Sequence, residues 1–234
     1  MLRTLDTIAE SGIQGHVSVK LTQLGLAIDL DLCRRNIWAI LEHARELDTF
    51  VRIDMEGSDY TERTLRLFFD ALEPEFHDHT GVVIQSYLYR SGDDVEQLIQ
   101  RRARVRLCKG AYAEPDAIAL QDQREVAGAF VRLLERLLQD GNYPAIATHD
   151  ERLINRAVAL AQQYGVGADR FEFQMLYGVR RDLQEQLRAD GYNMRVYVPF
   201  GTAWYPYLMR RLAERPGNVA FMAGSVMREF VSGR

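Results

Sequence analysis

Short β-prone runs alternate with amphipathic helical stretches along nearly the whole chain, and that alternation limits the possible folds more than any single motif. The runs are His16–Leu21, Phe50–Asp54, Gly81–Gln85, Arg104–Cys108, Ala145–Thr148, Phe171–Gln174 and Arg195–Val198. The stretches between them carry apolar residues at helical spacing. Asp29–Leu47 has Leu30, Ile37, Ile40 and Leu41. Glu125–Asp140 has Val126, Phe130, Leu133, Leu134 and Leu137, and Asp150–Tyr164 has an Asp cap followed by Leu153, Ala157 and Leu160. Further helices are expected over Leu2–Glu10, about Thr61–Leu72, Asp93–Arg101, Arg180–Asp190 and Thr202–Glu214. Repeated strand–helix units imply parallel pairing with right-handed crossovers. Seven such units point to a (β/α) barrel, an α/β fold of the TIM type. No GxGxxG motif follows any strand, so a dinucleotide-binding open sheet has little support.

The count stands one strand short of eight. Either Asn218–Met222 supplies the eighth, or the first strand lies upstream of Leu2. A length of 234 residues suits one barrel domain over the whole chain. A net charge of -4 carries no nucleic-acid footprint. Cys33 and Cys108 are too few for a disulfide framework or a metal site, and they suit a reducing compartment. Met1–Ser11 contains acidic residues and no signal-peptide core, and no apolar run approaches the ~20 residues of a membrane span. The expectation is a cytoplasmic protein, with peripheral membrane contact and oligomeric state left open.

In barrels of this kind reactive residues sit at the C-terminal ends of the strands. Here the strand ends offer Lys20, Asp54, Gln85, Arg106 with Lys109, Thr148 with His149, Gln174 and Tyr197. Of 29 basic residues only Lys20 and Lys109 are lysines, and both are in this set. Any one of them has a plain structural reading: Asp54 as a helix cap, Gln85 as a barrel hydrogen bond, a lysine as chance on an arginine-rich background. Inward charges such as Arg106 and Lys109 are harder to dismiss, because a buried charge costs several kcal/mol unless it is paired or meets a ligand. Beyond the last strand, Tyr207, Arg210, Arg211 and Glu214 share about 100° of helical arc. Such a run is commonly a solvated face. Adjacent guanidiniums also suit bidentate capture of a carboxylate or phosphate.

The chain resembles the proline dehydrogenase family, and in particular its short single-function bacterial members. The matching stretches are VSVKLTQLGL, RIDMEGSDYTERTL, GVVIQSYLYR, RVRLCKGAYAEP, YPAIATHDERLI, FEFQMLYGVRRDL and RVYVPFGTAWYPYLMRRLAE, in the family's order. The resemblance implies a (β/α)8 barrel holding FAD, oxidation of L-proline to 1-pyrroline-5-carboxylate, and transfer of the electrons to a quinone. It implies that Lys20, Arg210 and Arg211 meet the proline carboxylate and that Asp54 helps organise that site. Ala111, Tyr112, Leu176 and Tyr197 would cover the proline ring. Arg106 would lie near flavin N5 and Gln85 at the flavin edge, with Lys109, Gly110, Ala111, Thr148, His149, Gln174 and Glu214 as further FAD contacts. On the family pattern the first strand and N-terminal helices precede this chain, and Asn218–Met222 belongs to a helical tail. Two other readings compete. One is a Schiff-base aldolase built on the two lysines; the other is a flavin- or proline-binding sensor that does no chemistry.

Overall fold

The computed structural model of the protein describes residues 1–201. Its strands are β1 (Val17–Lys20), β2 (Val51–Asp54), β3 (Thr80–Gln85), β4 (Arg104–Cys108), β5 (Ala145–Ala147), β6 (Glu172–Leu176) and β7 (Asn193–Tyr197). They pair in parallel in chain order, β1 to β7, as one sheet. The helices are α1 (Leu2–Ser11), α2 (Leu30–Glu46), α3 (Ser58–Leu67), α4 (Glu73–Phe76), α5 (Ser91–Gln100), α6 (Gln123–Asp140), α7 (Glu151–Gln163) and α8 (Arg181–Ala189). Every crossover from β2 onward carries at least one of them, as parallel pairing demands.

The sheet is rolled. Seven flat strands at ~4.8 Å spacing would hold β1 and β7 nearly 30 Å apart. Instead Arg195 of β7 donates from Nη1 to the Gln14 carbonyl just before β1, at 2.8 Å. Tyr197 of β7 donates to Asp54 of β2 at 3.3 Å. The outward residues of the strands and the apolar helix faces form one continuous core, from Leu5 through Val105 to Leu187.

Two boundaries depart from the sequence pattern for identifiable reasons. The helix expected over Thr61–Leu72 starts earlier, at Ser58, and runs through a widened π turn at Phe68–Leu72 into α4. That turn precedes Pro74, whose missing N–H and ring cannot fit a regular helix interior. The run read as Ala145–Thr148 ends at Ala147, because the Thr148 hydroxyl turns to accept from the Asp150 amide at 3.1 Å. The expected helix Thr202–Glu214 and the run Asn218–Met222 lie outside the described residues.

The inward positions of the strands are unusually polar. At the end where the strands begin, Arg52 is fully buried. It donates from Nη1 to the Arg104 carbonyl at 2.5 Å, and its guanidinium lies 4.8 Å from the Phe50 ring centre. Gly81 makes this crossing possible, since a Cβ there would meet the Arg104 carbonyl at 2.3 Å and Arg52 Nη1 at 2.6 Å. Burial first, then the Arg106 and Arg104 charges, push the Arg52 guanidinium well below its ordinary pKa, while Glu172 and Asp54 push back. Glu172, also buried, takes Arg195 in a fork of bonds at 2.9–3.0 Å and accepts from the Gln174 amide.

Candidate functional site

The opposite end, where the strands finish, opens into a cavity of about 250 Å³. Twelve of the residues singled out from the sequence line it: Lys20, Asp54, Gln85, Arg106, Lys109, Gly110, Ala111, Tyr112, His149, Gln174, Leu176 and Tyr197. Thr148 is buried beside it without lining it. Arg210, Arg211 and Glu214 lie outside the described residues. The cavity wall also includes Met55, Val83, Cys108, Ala147 and Met175, which sequence reasoning missed. Apolar residues at strand ends carry no sequence signal that separates a cavity wall from core.

Asp54 is the hub. It ends β2 with its side chain inward, where one carboxylate oxygen accepts from Arg106 Nη1 at 2.8 Å. The other accepts from the Tyr197 hydroxyl at 3.3 Å and lies 3.6 Å from Lys20 Nζ. The register sets this meeting: Lys20 of β1 pairs directly with Asp54 of β2. Arg106 spans the barrel from β4, bonds Ser18 of β1 at 2.9 Å, and lies 5.5 Å beneath the Tyr197 ring. Its Nε is buried without a hydrogen-bond partner among the described residues. The pair is nearly buried, so Asp54 and Arg106 fix each other's rotamers.

The other strand ends are tied to one another. Gln85 donates its amide to the Glu56 carbonyl at 2.9 Å. Lys109 pairs with Asp150 at 2.8 Å, and Asp150 caps α7 by accepting from the Arg152 amide at 3.1 Å. The Arg152 amide at this helix start is thus spent on a protein carboxylate. Gly110, at φ 108°, also has no room for a side chain: a Cβ there would fall 2.3 Å from the Tyr87 ring.

His149 is locked by its backbone neighbour. Its Nε2 accepts from the Leu176 amide at 2.9 Å, so the neutral ring carries its hydrogen on Nδ1. Burial first, then the Arg180 charge, lower its pKa to about 4. The cavity thus gathers donors: the Lys20 and Lys109 ammoniums, the Arg106 guanidinium and a histidine N–H. It suits a ligand rich in carboxylate or carbonyl oxygens, with Ala111, Tyr112, Leu176 and Tyr197 as its less polar side. No group of three or more His, Cys, Asp or Glu residues placed to hold a metal occurs among the described residues. Nor is any described helix long and apolar enough to cross a membrane.

A profile of the family described as proline dehydrogenase matches residues 1–224. The chain is 43% identical over 220 residues to proline dehydrogenase 2 of Bacillus subtilis, covering 94% of this chain and 72% of that protein. It is 41% identical over 231 residues to the proline dehydrogenase of Deinococcus radiodurans, covering 97% of this chain and 74% of that protein. Among solved structures it resembles proline utilization A (PutA) from Bdellovibrio bacteriovorus inactivated by N-propargylglycine, with a TM-score of 0.83 at 26% identity. That match covers 90% of this chain and 27% of the PutA chain. A PutA structure from Bradyrhizobium japonicum shares the fold at a TM-score of 0.84 and 24% identity.

Proposed function

Because the chain belongs to the proline dehydrogenase family, we propose that the cavity at the strand ends binds FAD and L-proline, that proline leaves as 1-pyrroline-5-carboxylate, and that a quinone takes the electrons. The observation that carries this reading is the convergence of Lys20, Arg106 and Tyr197 on Asp54 at the wall of one cavity. FAD fits the donor set, with Gln85, Arg106, Lys109, Gly110, Ala111, Thr148, His149 and Gln174 to hold it and Glu214 joining from beyond the described residues. The Arg106 Nε, buried without a bonding partner among the described residues, is a donor such a group could use. When bound, FAD supplies the two-electron acceptor for a hydride from the ring carbon beside nitrogen, as the N–H proton is released.

The protein's own part is positioning. Lys20, together with Arg210 and Arg211, holds the proline carboxylate by charge-assisted bonds. Asp54 holds Lys20 and Arg106 side by side and aimed, because both cations share its carboxylate. Tyr112, Leu176, Ala111 and Tyr197 cover the ring and exclude water, so that the reacting carbon is held within the roughly 3–3.5 Å that such transfers need. Arg106 stabilises negative charge that develops in the electron acceptor.

The aldolase alternative asks for a lysine made nucleophilic by an apolar pocket or a neighbouring cation. Lys20 and Lys109 each face a carboxylate instead, Asp54 and Asp150 respectively. The test is anaerobic addition of L-proline to the flavin-loaded protein. Bleaching of the visible flavin band, reversed by a quinone, is the expected result. A lysine adduct trapped by borohydride with a carbonyl substrate, and no bleaching by proline, would replace this reading.

A further inference from the structure

We propose that Glu114 is a positioning residue that latches the Ala111–Tyr112 wall over the cavity by capping α3 from a different loop. Helix α3 starts at Ser58 behind Gly57, which has no side chain to cap it. The first amides of a helix have no partner within it and favour a negative charge. Glu114 fills that role from 56 positions away. Its Oε1 accepts from the Ser58 amide at 2.7 Å and its Oε2 from the Ser58 hydroxyl at 2.5 Å.

Glu114 belongs to the loop between β4 and α6, two residues beyond Tyr112. Farther along that loop, Gln121 donates to the Glu114 carbonyl at 3.1 Å, and the Leu120 amide donates to the Tyr87 carbonyl at 2.8 Å. Just before these anchors, residues 110–112 form a wall. In front is the main cavity. Behind is a second cavity of about 180 Å³, and Gly110, Ala111 and Tyr112 line both. A wall with open space on its far side lacks packing atoms there, and packing alone does not fix its position. Tyr87 backs the wall at Gly110, where a Cβ would meet its ring at 2.3 Å; the Glu114–Ser58 pair holds the Tyr112 side, and Tyr112 itself packs beside Gly57, 3.9 Å from where a Cβ of that glycine would stand.

The inference deepens the proline reading and rests on it for its kinetic arm. Glu114→Ala and Ser58→Ala are compared with the parent protein, flavin loaded, by proline kinetics and by hydrogen exchange of individual amides. With Glu114→Ala, the KM for proline is expected to rise roughly 10-fold, because the released wall must be ordered again when proline binds. The kcat at saturating proline and the flavin content stay near the parent values. Exchange quickens at residues 110–114 and at Ser58, and elsewhere remains as in the parent. Ser58→Ala keeps the amide bond and shifts both readouts less. An unchanged KM with unchanged exchange at 110–114 overturns the proposal. So does faster exchange spread evenly over the barrel, since that marks general destabilisation. If the parent itself does not oxidise proline, the functional reading fails, and the exchange pattern alone still decides whether Glu114 holds the wall.

Discussion

The two ends of the barrel interior are built from similar residues and do different things. Where the strands begin, Arg52 and Glu172 are 1% and 2% exposed. Where they finish, Asp54 and Arg106 are 9% and 8% exposed, hardly more. Burial and charge therefore do not distinguish a site from a scaffold. The difference is what the charges surround. Arg52 gives its Nη1 to the Val82 and Arg104 carbonyls and its face to Phe50, and Glu172 takes Arg195 and Gln174; these side chains fill that end, and neither Arg52 nor Glu172 lines the cavity. Asp54, Arg106 and Lys20 surround a cavity of about 250 Å³. An inward charge argues for a ligand only where open space adjoins it.

The largest effect should come from the filled end. Glu172→Ala leaves Arg195 and Arg52 without their carboxylate in a buried setting, and the expected loss of stability is about 3–5 kcal/mol. The folded fraction should bind a carboxylate-bearing proline analogue as the parent does. Denaturant unfolding and an analogue titration measure the two quantities separately. A fall in analogue affinity would show that the two ends act as one unit.

Next is the open end. Asp54→Asn removes the shared counter-charge of Lys20 and Arg106, and analogue affinity should weaken by about 10- to 150-fold, or 1.5–3 kcal/mol. Stability should fall less than in Glu172→Ala, because water in the cavity can solvate the freed cations. Arg211→Met is expected to raise the proline KM over the same range with flavin retained, if its guanidinium holds the carboxylate. An unchanged KM would make Arg210 and Arg211 a solvated face.

Acid pH probes both ends through one histidine each. His16 packs against Phe50 at the filled end, and burial, then Arg195, lower its pKa to about 3. His149 at the open end is lowered to about 4. In the unfolded chain both titrate near ~6.5. As pH falls below that value the unfolded chain binds protons that the fold refuses. Stability is thus whole above about pH 6.5 and drops by up to ~1.4 kcal/mol per pH unit for each histidine. The share of His149 is complete by about pH 4 and that of His16 by about pH 3. Surface His43, held up first by Asp6 and then Glu46, opposes this trend. Urea unfolding across this range should show a shallower slope in His16→Gln and in His149→Gln than in the parent. An unaltered slope in either variant removes that histidine from the account.

The smallest effect is expected at Lys109. Its pair with Asp150 is partly exposed, 21% and 35% by side chain, and Lys109→Met should cost no more than about 1 kcal/mol. Differential scanning calorimetry checks this. A larger loss would mean that the pair is a main anchor of α7 rather than a trim on its cap.

The fold was largely legible in the sequence because each strand is a short β-prone run and each helix has an apolar stripe. Seven strands in chain order followed from that pattern, and errors fell at boundaries such as Thr148 and Ser58, where side chains redirect the backbone. The site was legible as a set of strand-end polar residues. Periodicity places Arg52 and Asp54 on the same inward face and cannot say which adjoins open space. Glu56 and Glu114 were passed over for another reason. Each works across loops, Glu56 by holding Thr22 and Glu114 by holding Ser58, and contacts 34 and 56 positions apart leave no local trace.

The central claim, that chemistry belongs to the open end and stability to the filled one, is tested most directly by anaerobic reduction of the bound flavin with L-proline. The measurement compares the parent, Asp54→Asn and Glu172→Gln, the last chosen to retain a hydrogen-bonding side chain at the filled end. The flavin band should bleach in all three folded proteins. The parent and Glu172→Gln should half-bleach at the same proline concentration, and Asp54→Asn at one roughly 10- to 150-fold higher. Equal half-bleaching in the parent and Asp54→Asn, with a shift in Glu172→Gln, would contradict the account.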